Sequence, residues 1–218
     1  MKKSVISIVL AAVMLLSACS SGGDTNGSAA TTEDPATEML HKTVVFGHYE
    51  QDRDKDNGPE PIEWEVLAVE DGNALLISKN LLDSRQYYSG NNGVTWEKSD
   101  IRVWLNNPFY NRAFDESEKE QIQTVTISNP DNSSFGTAGG NDTEDKVFLL
   151  SIDEAESLFA DDQARAIAPG WWLRSPGGDA DHAACISEGG SVFTGGRSCH
   201  DHIGVRPAIW VNVNAILG

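Results

Sequence analysis

Between Ser20 and Glu38 the chain (SSGGDTNGSAATTEDPATE) carries no large apolar residue. Such a segment cannot bury enough surface to offset the entropy of ordering it, so any core has to be built from the residues that follow. That leaves 41–218 as one folded domain, long enough for a substantial core and without an internal polar linker to divide it. At about 5–6 Å times the square root of its length, the polar segment is a flexible tether with a mean span of roughly 25 Å.

The preceding residues have the layout of an export signal. Lys2-Lys3 supply a basic start, Val5 to Leu16 is apolar except for Ser7, and Ser17 and Ala18 are small. Leu16-Ser17-Ala18-Cys19 resembles the lipobox of bacterial lipoproteins, in which cleavage before the cysteine leaves a thiol for diacylglycerol. The expectation is a signal peptide over 1–18, a lipidated Cys19 with a flexible linker over 19–40, and a domain held on the extracytoplasmic face of the cell membrane. Two or more acyl chains anchor stably, each buried methylene contributing about 0.8 kcal/mol, whereas one chain is marginal.

Charge and hydropathy remove other classes. Sixteen Lys and Arg face 33 Asp and Glu, a formal net charge of -17, with no basic cluster to displace counterions from a phosphate backbone. A nucleic-acid partner is excluded on that ground. No apolar run reaches the roughly 18–20 residues that a membrane-spanning helix needs.

Within 41–218 the pattern predicts an α+β fold, a single compact domain of short antiparallel strands and short helices. Thr43–Tyr49 reads as a strand, and Ile62–Glu70 and Ala74–Ser78 form a hairpin reversed at Asp71-Gly72. Helical spacing over Thr95–Asn106 puts Ile101, Trp104 and Leu105 on one face. Asn107-Pro108 reads as the cap of a second short helix. Asp115 with Glu118, and Ser151 with Glu154, have capping-box spacing. Val125–Ser128 and Lys146–Leu150 read as strands around a Gly/Asn/Ser/Asp loop. From Trp171 onward strands at 171–174, 183–187, 191–193 and 205–213 alternate with Gly-rich turns.

These residues carry a further resemblance. FGHYEQD at 46–52, EPIEW at 60–64, VTWE at 94–97 with Arg102-x-Trp104-Leu105-Asn106, GNDT at 140–143 with VFLLS at 147–151, WWLRSPG at 171–177 and VRPAIW at 205–210 occur in order. Together they resemble the bacterial domain of unknown function 6273. The resemblance implies a secreted or lipid-anchored domain without an assigned activity. Its C-terminal pattern is distantly similar to the C-type-lectin-like and sulfatase-modifying-factor architecture, in which C-terminal loops carry variable binding surfaces. The stretch Asp161–Gly170, often longer in relatives, is short here.

Cys185 and Cys199 are the two cysteines left once Cys19 is acylated, and an even count in an exported chain favours a disulfide. Closing that loop would stabilise by about 3 kcal/mol in the chain-entropy model. The competing arrangement is a zinc site drawn from His182, Cys185, Cys199, His200 and His202, although no usual zinc spacing is present. A copper-binding cysteine pair like that of formylglycine-generating enzymes has the wrong spacing. Asp52, Asp54 and Asp56, with Glu63 further on, have some of the spacing of an EF-hand calcium loop. Asn57 stands where the loop needs Gly, and Pro59 and Pro61 oppose its curl, so an acidic turn is the better reading.

Trp64, Trp104, Trp171, Trp172 and Trp210 could make a sugar-stacking platform but read mainly as core. Adjacent Trp171 and Trp172 face opposite sides of a strand, so at most one of the pair should line the core. Arg174 and Arg206 are expected to brace loops through buried hydrogen bonds. The richest exposed chemistry is Asp179, Asp181, His182, Glu188, Arg197, His200, Asp201 and His202 on the Gly-rich loops, the candidate ligand-binding residues. No catalytic triad order, H-E-x-x-H, Walker loop or G-x-G-x-x-G occurs, and no cofactor is assigned. The sequence thus points to a binding module for an extracellular glycan or protein. A metal-assisted envelope enzyme and a ligand-free envelope spacer are the alternatives.

Overall fold

The computed structural model describes residues 38–54 and 56–217. The expected signal peptide, the expected lipidation site Cys19 and most of the expected linker lie outside the described residues. The chain runs through β1 (Thr43–Tyr49), β2 (Glu60–Glu70), β3 (Asn73–Ser78) and β4 (Asp83–Arg85), then a 3-10 turn at Trp96–Lys98. Next come α1 (Asp100–Trp104), a π turn (Leu105–Phe109), α2 (Tyr110–Ala113) and α3 (Glu116–Gln121). β5 (Val125–Ile127), β6 (Thr143–Asp145), β7 (Val147–Phe148), α4 (Ile152–Leu158) and α5 (Asp162–Arg165) follow. The chain closes with β8 (Trp171–Pro176), β9 (His182–Ile186), β10 (Val192–Ser198), β11 (Ile203–Val205) and β12 (Ala208–Asn212).

Two five-stranded sheets result, an α+β architecture as the patterning predicts. The first has the order β1-β2-β3-β12-β7 and is antiparallel throughout. The second, β10-β9-β8-β11-β4, contains one parallel pair, β8 with β11. β5 and β6 form a separate ribbon. The β2–β3 hairpin reverses at Asp71 and Gly72, whose φ values of 48° and 76° are those of a type I′ turn, the kind that matches strand twist.

The helical segment packs its aromatic rings on β1 and β2. Phe114 sits against Phe46 and Trp64, and Phe109 against Tyr49 and Trp104. Gly47 makes this approach possible: its φ is 74°, and a Cβ there would lie 2.7 Å from the Phe114 ring and the Ala113 carbonyl. Both predicted capping boxes form, Asp115 with Glu118 and Ser151 with Glu154. Pro108 does not start a new helix. It lies inside the π turn, where the Tyr110 N–H reaches Leu105 O, a wider closure that accommodates the missing Pro N–H.

The expected strand over 205–213 divides at Arg206-Pro207, where the chain passes from the second sheet (β11) to the first (β12). An earlier crossover, between β3 and β4, runs beside it. Ser78 N–H donates to Pro207 O, and Leu82 N–H donates to Val205 O. Arg206 pins the two crossovers together by donating from Nε to Ser78 O at 2.7 Å. Its guanidinium lies 5.2 Å from the ring centroids of both Phe159 and Trp171.

Trp171 and Trp172 are both fully buried, against the expectation for adjacent strand residues. β8 is the central strand of its sheet and is covered on both faces. Trp171 packs on Phe159 and donates its indole N–H to Arg165 O. Trp172 packs on Tyr87 and donates to Arg85 O. All six tryptophans are core residues.

Candidate functional site

Side chains that donate into buried backbone hold the C-terminal loops. Arg174 on β8 donates to Leu149 O and Ser128 O and makes a two-pronged pair with Glu154, its Nη2 lying 2.8 Å from Oε1. One guanidinium therefore joins β8 to the start of α4 and to the loop after β5, and it is fully hydrogen-bonded where it is buried. Arg206 is less well served. Glu65 stands 3.7 Å from its Nη2, Nη1 has no partner among the described residues, and burial lowers its pKa to about 10. Both arginines brace loops, as expected from the sequence. Asp145, also buried, accepts from Trp96 Nε1, Arg102 Nε and Thr143 Oγ1.

The segment between β5 and β6 folds back onto the second sheet. Buried Asn132 donates from Nδ2 to Pro176 O at 2.7 Å and to Thr194 O at 2.9 Å, which ties the segment to the end of β8 and to β10. Its Oδ1 accepts from Ser134 N–H and closes a tight turn, and Phe135 follows in that turn.

The structure divides the eight candidate ligand-binding residues. Asp179, Asp181 and His182 line the β8–β9 turn, where Asp179 Oδ1 lies 2.7 Å from His182 Nδ1 and accepts the Asp181 N–H. The His182 contact, followed by that N–H, holds the Asp179 carboxyl below the usual range. Arg197, His200 and Asp201 belong to the same end of the sheet, because Arg197 pairs with Ala183 and Cys199 N–H donates to Asp181 O. Glu188 sits in the β9–β10 turn at the opposite end, which Arg165 clamps through Gly190 O. His202 faces a separate cleft of about 290 Å³ with Arg85, Asp100 and Trp104. Arg85 lies over the Trp104 ring there, 4.1 Å from its centroid.

The expected disulfide is not present: both thiols are free and buried. Cys185 pairs with Phe193, whereas Cys199 lies opposite Asp181, four residues before Cys185 and just ahead of β9. At about 3.3 Å per residue that offset is roughly 13 Å, beyond the Cα separation of about 7 Å that a disulfide can bridge. Burial raises the Cys185 pKa to about 11 and that of Cys199 to about 12, so neither is poised as a thiolate ligand or nucleophile. The zinc set of His182, Cys185, Cys199, His200 and His202 does not converge. Among the described residues, the one grouping of three or more side chains able to share a cation is Glu50, Asp52 and Glu60.

That grouping overlaps the acidic loop only at Asp52. Asp52 and Asp54 each accept an N–H two residues on, and Asn57 donates to Asp52, so the carboxylates cap their own turn. The Asp54 N–H, followed by Asn57, holds the Asp52 carboxyl below the usual range. Glu63 lies in β2 facing Lys79, away from the turn. Desolvation, with the nearby Glu60 and Asp52 charges, pushes the Glu50 carboxyl upward. One oxygen each of Glu50 and Glu60 is enclosed without a hydrogen-bond partner among the described residues.

The model of the domain of unknown function DUF6273 matches residues 71–213, from the β2–β3 turn to the end of β12. The chain belongs to the DUF6273 family. The matched span holds Arg174, Arg206, Asn132 and all eight loop residues, whereas β1 and β2 lie outside it. No curated protein and no solved structure matches the chain.

Proposed function

We propose that this DUF6273 protein is a lipid-anchored extracytoplasmic recognition module, tethered through Cys19 and binding its ligand on the loops at one end of the second sheet. The observation that carries the reading is the clustering of Asp179, Asp181, His182, Arg197, His200 and Asp201 on turns held by the Asp179 carboxylate and by backbone bonds such as Cys199 N–H to Asp181 O. Rigid scaffolds present binding residues on loops in this way, and an immobile loop loses less entropy when a ligand arrives. The export pattern of residues 1–18 and the polar tether support placing this surface outside the membrane. The metal-assisted enzyme loses its proposed ligand set, because the three histidines and two cysteines do not meet.

Two measurements test the reading. Labelled palmitate should be incorporated into the protein and lost in Cys19→Ala; an unlabelled protein, or fractionation with cytosol, refutes the anchor. A glycan and peptide array should give a ligand whose binding falls in Asp181→Asn and His200→Ala. A hit that neither substitution affects refutes the site.

A further inference from the structure

Phe135 and Phe193 are the two exposed aromatic side chains among the described residues, 54% and 51% accessible. They come from different parts of the chain, the segment pinned by Asn132 and the strand β10, yet they meet over one glycine. A Cβ placed on Gly195 would lie 3.3 Å from the Phe193 ring and 3.6 Å from the Phe135 ring. The Phe135 ring also covers Gly178, whose N–H donates to Gly195 O. The floor between the rings is therefore bare backbone.

We infer that Phe135, Gly195 and Phe193 form a stacking site for a neutral carbohydrate, an inference that rests on the recognition reading and names its ligand class. Two half-exposed phenyl rings offer roughly 200 Å² of apolar surface, far below the roughly 800 Å² per partner of a standard protein interface but suited to one or two sugar rings. The electron-rich face of a phenyl ring attracts the polarised C–H bonds on the flat face of a pyranose. Hydroxyls at the sugar's edge need acceptors. Asp179, one residue beyond Gly178, spends Oδ1 on His182 and Asp181, and its Oδ2 has no partner among the described residues. Asp179, Asp181 and the net charge of -17 oppose an anionic ligand.

The test is calorimetric titration of the purified full chain with cellotetraose and chitotetraose, whose equatorial substituents leave C–H faces open, alongside selection from a random peptide library. At least one tetrasaccharide should bind saturably, at least tenfold more weakly to Phe135→Ala and Phe193→Ala. Gly195→Val, which fills the floor while leaving both rings, should have the same effect, and Val103→Ala, an exposed apolar residue elsewhere, should have none. If both tetrasaccharides fail while a selected peptide binds and is lost in Asp181→Asn, the carbohydrate inference is wrong and the recognition reading stands. If neither probe binds, both fall. Sugar binding that survives loss of both rings also overturns the inference.

Discussion

The two sheets are built by different means. In the first sheet β1, β2 and β3 are sequential antiparallel neighbours, β2 and β3 joined at a two-residue turn, and backbone pairing with apolar alternation specifies most of it. The second gathers strands from 83 to 205 and includes a parallel pair. Irregular register interrupts β8 between Trp172 and Pro176 and β10 between Phe193 and Arg197, longer interruptions than those of β1 and β2 in the first sheet. Its loops depend on single polar side chains, Arg174, Asn132 and Arg165, that satisfy carbonyls the ladder leaves free. Local pairing makes a scaffold, whereas a surface with unusual shape needs buried polar pins.

The contrast is most exposed to failure at Arg174. Arg174→Ala strands the Glu154 carboxylate and is expected to cost about 3–5 kcal/mol in urea unfolding, the loss typical of breaking a buried ion pair. The double variant Arg174→Met with Glu154→Leu should recover much of that loss. A single-variant cost under about 1 kcal/mol would show that the pin is dispensable. Asn132→Ala should cost about 1–3 kcal/mol by leaving carbonyls unpaired, and limited proteolysis should then cut first within 129–141. Cleavage elsewhere would deny that Asn132 holds this segment. In the helices beside the first sheet, Asp115→Ala removes only a cap and should cost about 1 kcal/mol.

Thiol chemistry and pH give smaller effects. Reductant should leave the melting temperature unchanged, and a thiol reagent should label Cys185 and Cys199 only after unfolding; protection by oxidation instead would restore the disulfide. Asp52, Asp115, Asp162 and Asp179 have folded pKa values below their ordinary ones. Their stabilisation is present above about pH 4 and is lost as pH falls through the depressed values. Glu50 and Glu70 are shifted the other way, both chiefly by desolvation. Their contribution is present below the ordinary glutamate pKa of about 4.3 and is lost as pH rises through the folded values. Glu50→Gln should flatten that decline in a stability–pH profile; an unchanged profile would contradict the shift.

Most of the first sheet was legible in the sequence because its signals are local: alternation in 62–70 and the Asp71-Gly72 turn. The second sheet was legible only in outline. Alternation over 205–213 could not show that Arg206-Pro207 carries the chain between sheets, since both halves are equally apolar. The β4 segment, three residues without an apolar pattern, gave no signal. Burial of both Trp171 and Trp172 follows from a strand covered on two faces, which pairwise alternation does not reveal. The disulfide expectation failed because parity of cysteines says nothing about register. Phe135 and Phe193, 58 positions apart, had no sequence signal that they meet; an exposed aromatic is visible only once the buried ones are known. Asn132 could have been suspected as an Asn in a turn-rich segment, but its partners could not.

The most direct test of a rigid loop surface made for recognition is an amide chemical-shift map of the isotope-labelled protein, titrated with the tetrasaccharide that binds most tightly. Perturbations should be confined to residues 132–137, 177–182 and 193–198, with the first sheet silent. Shifts centred on the Arg85–Trp104 cleft or on Glu50, or none at any concentration, would contradict that reading.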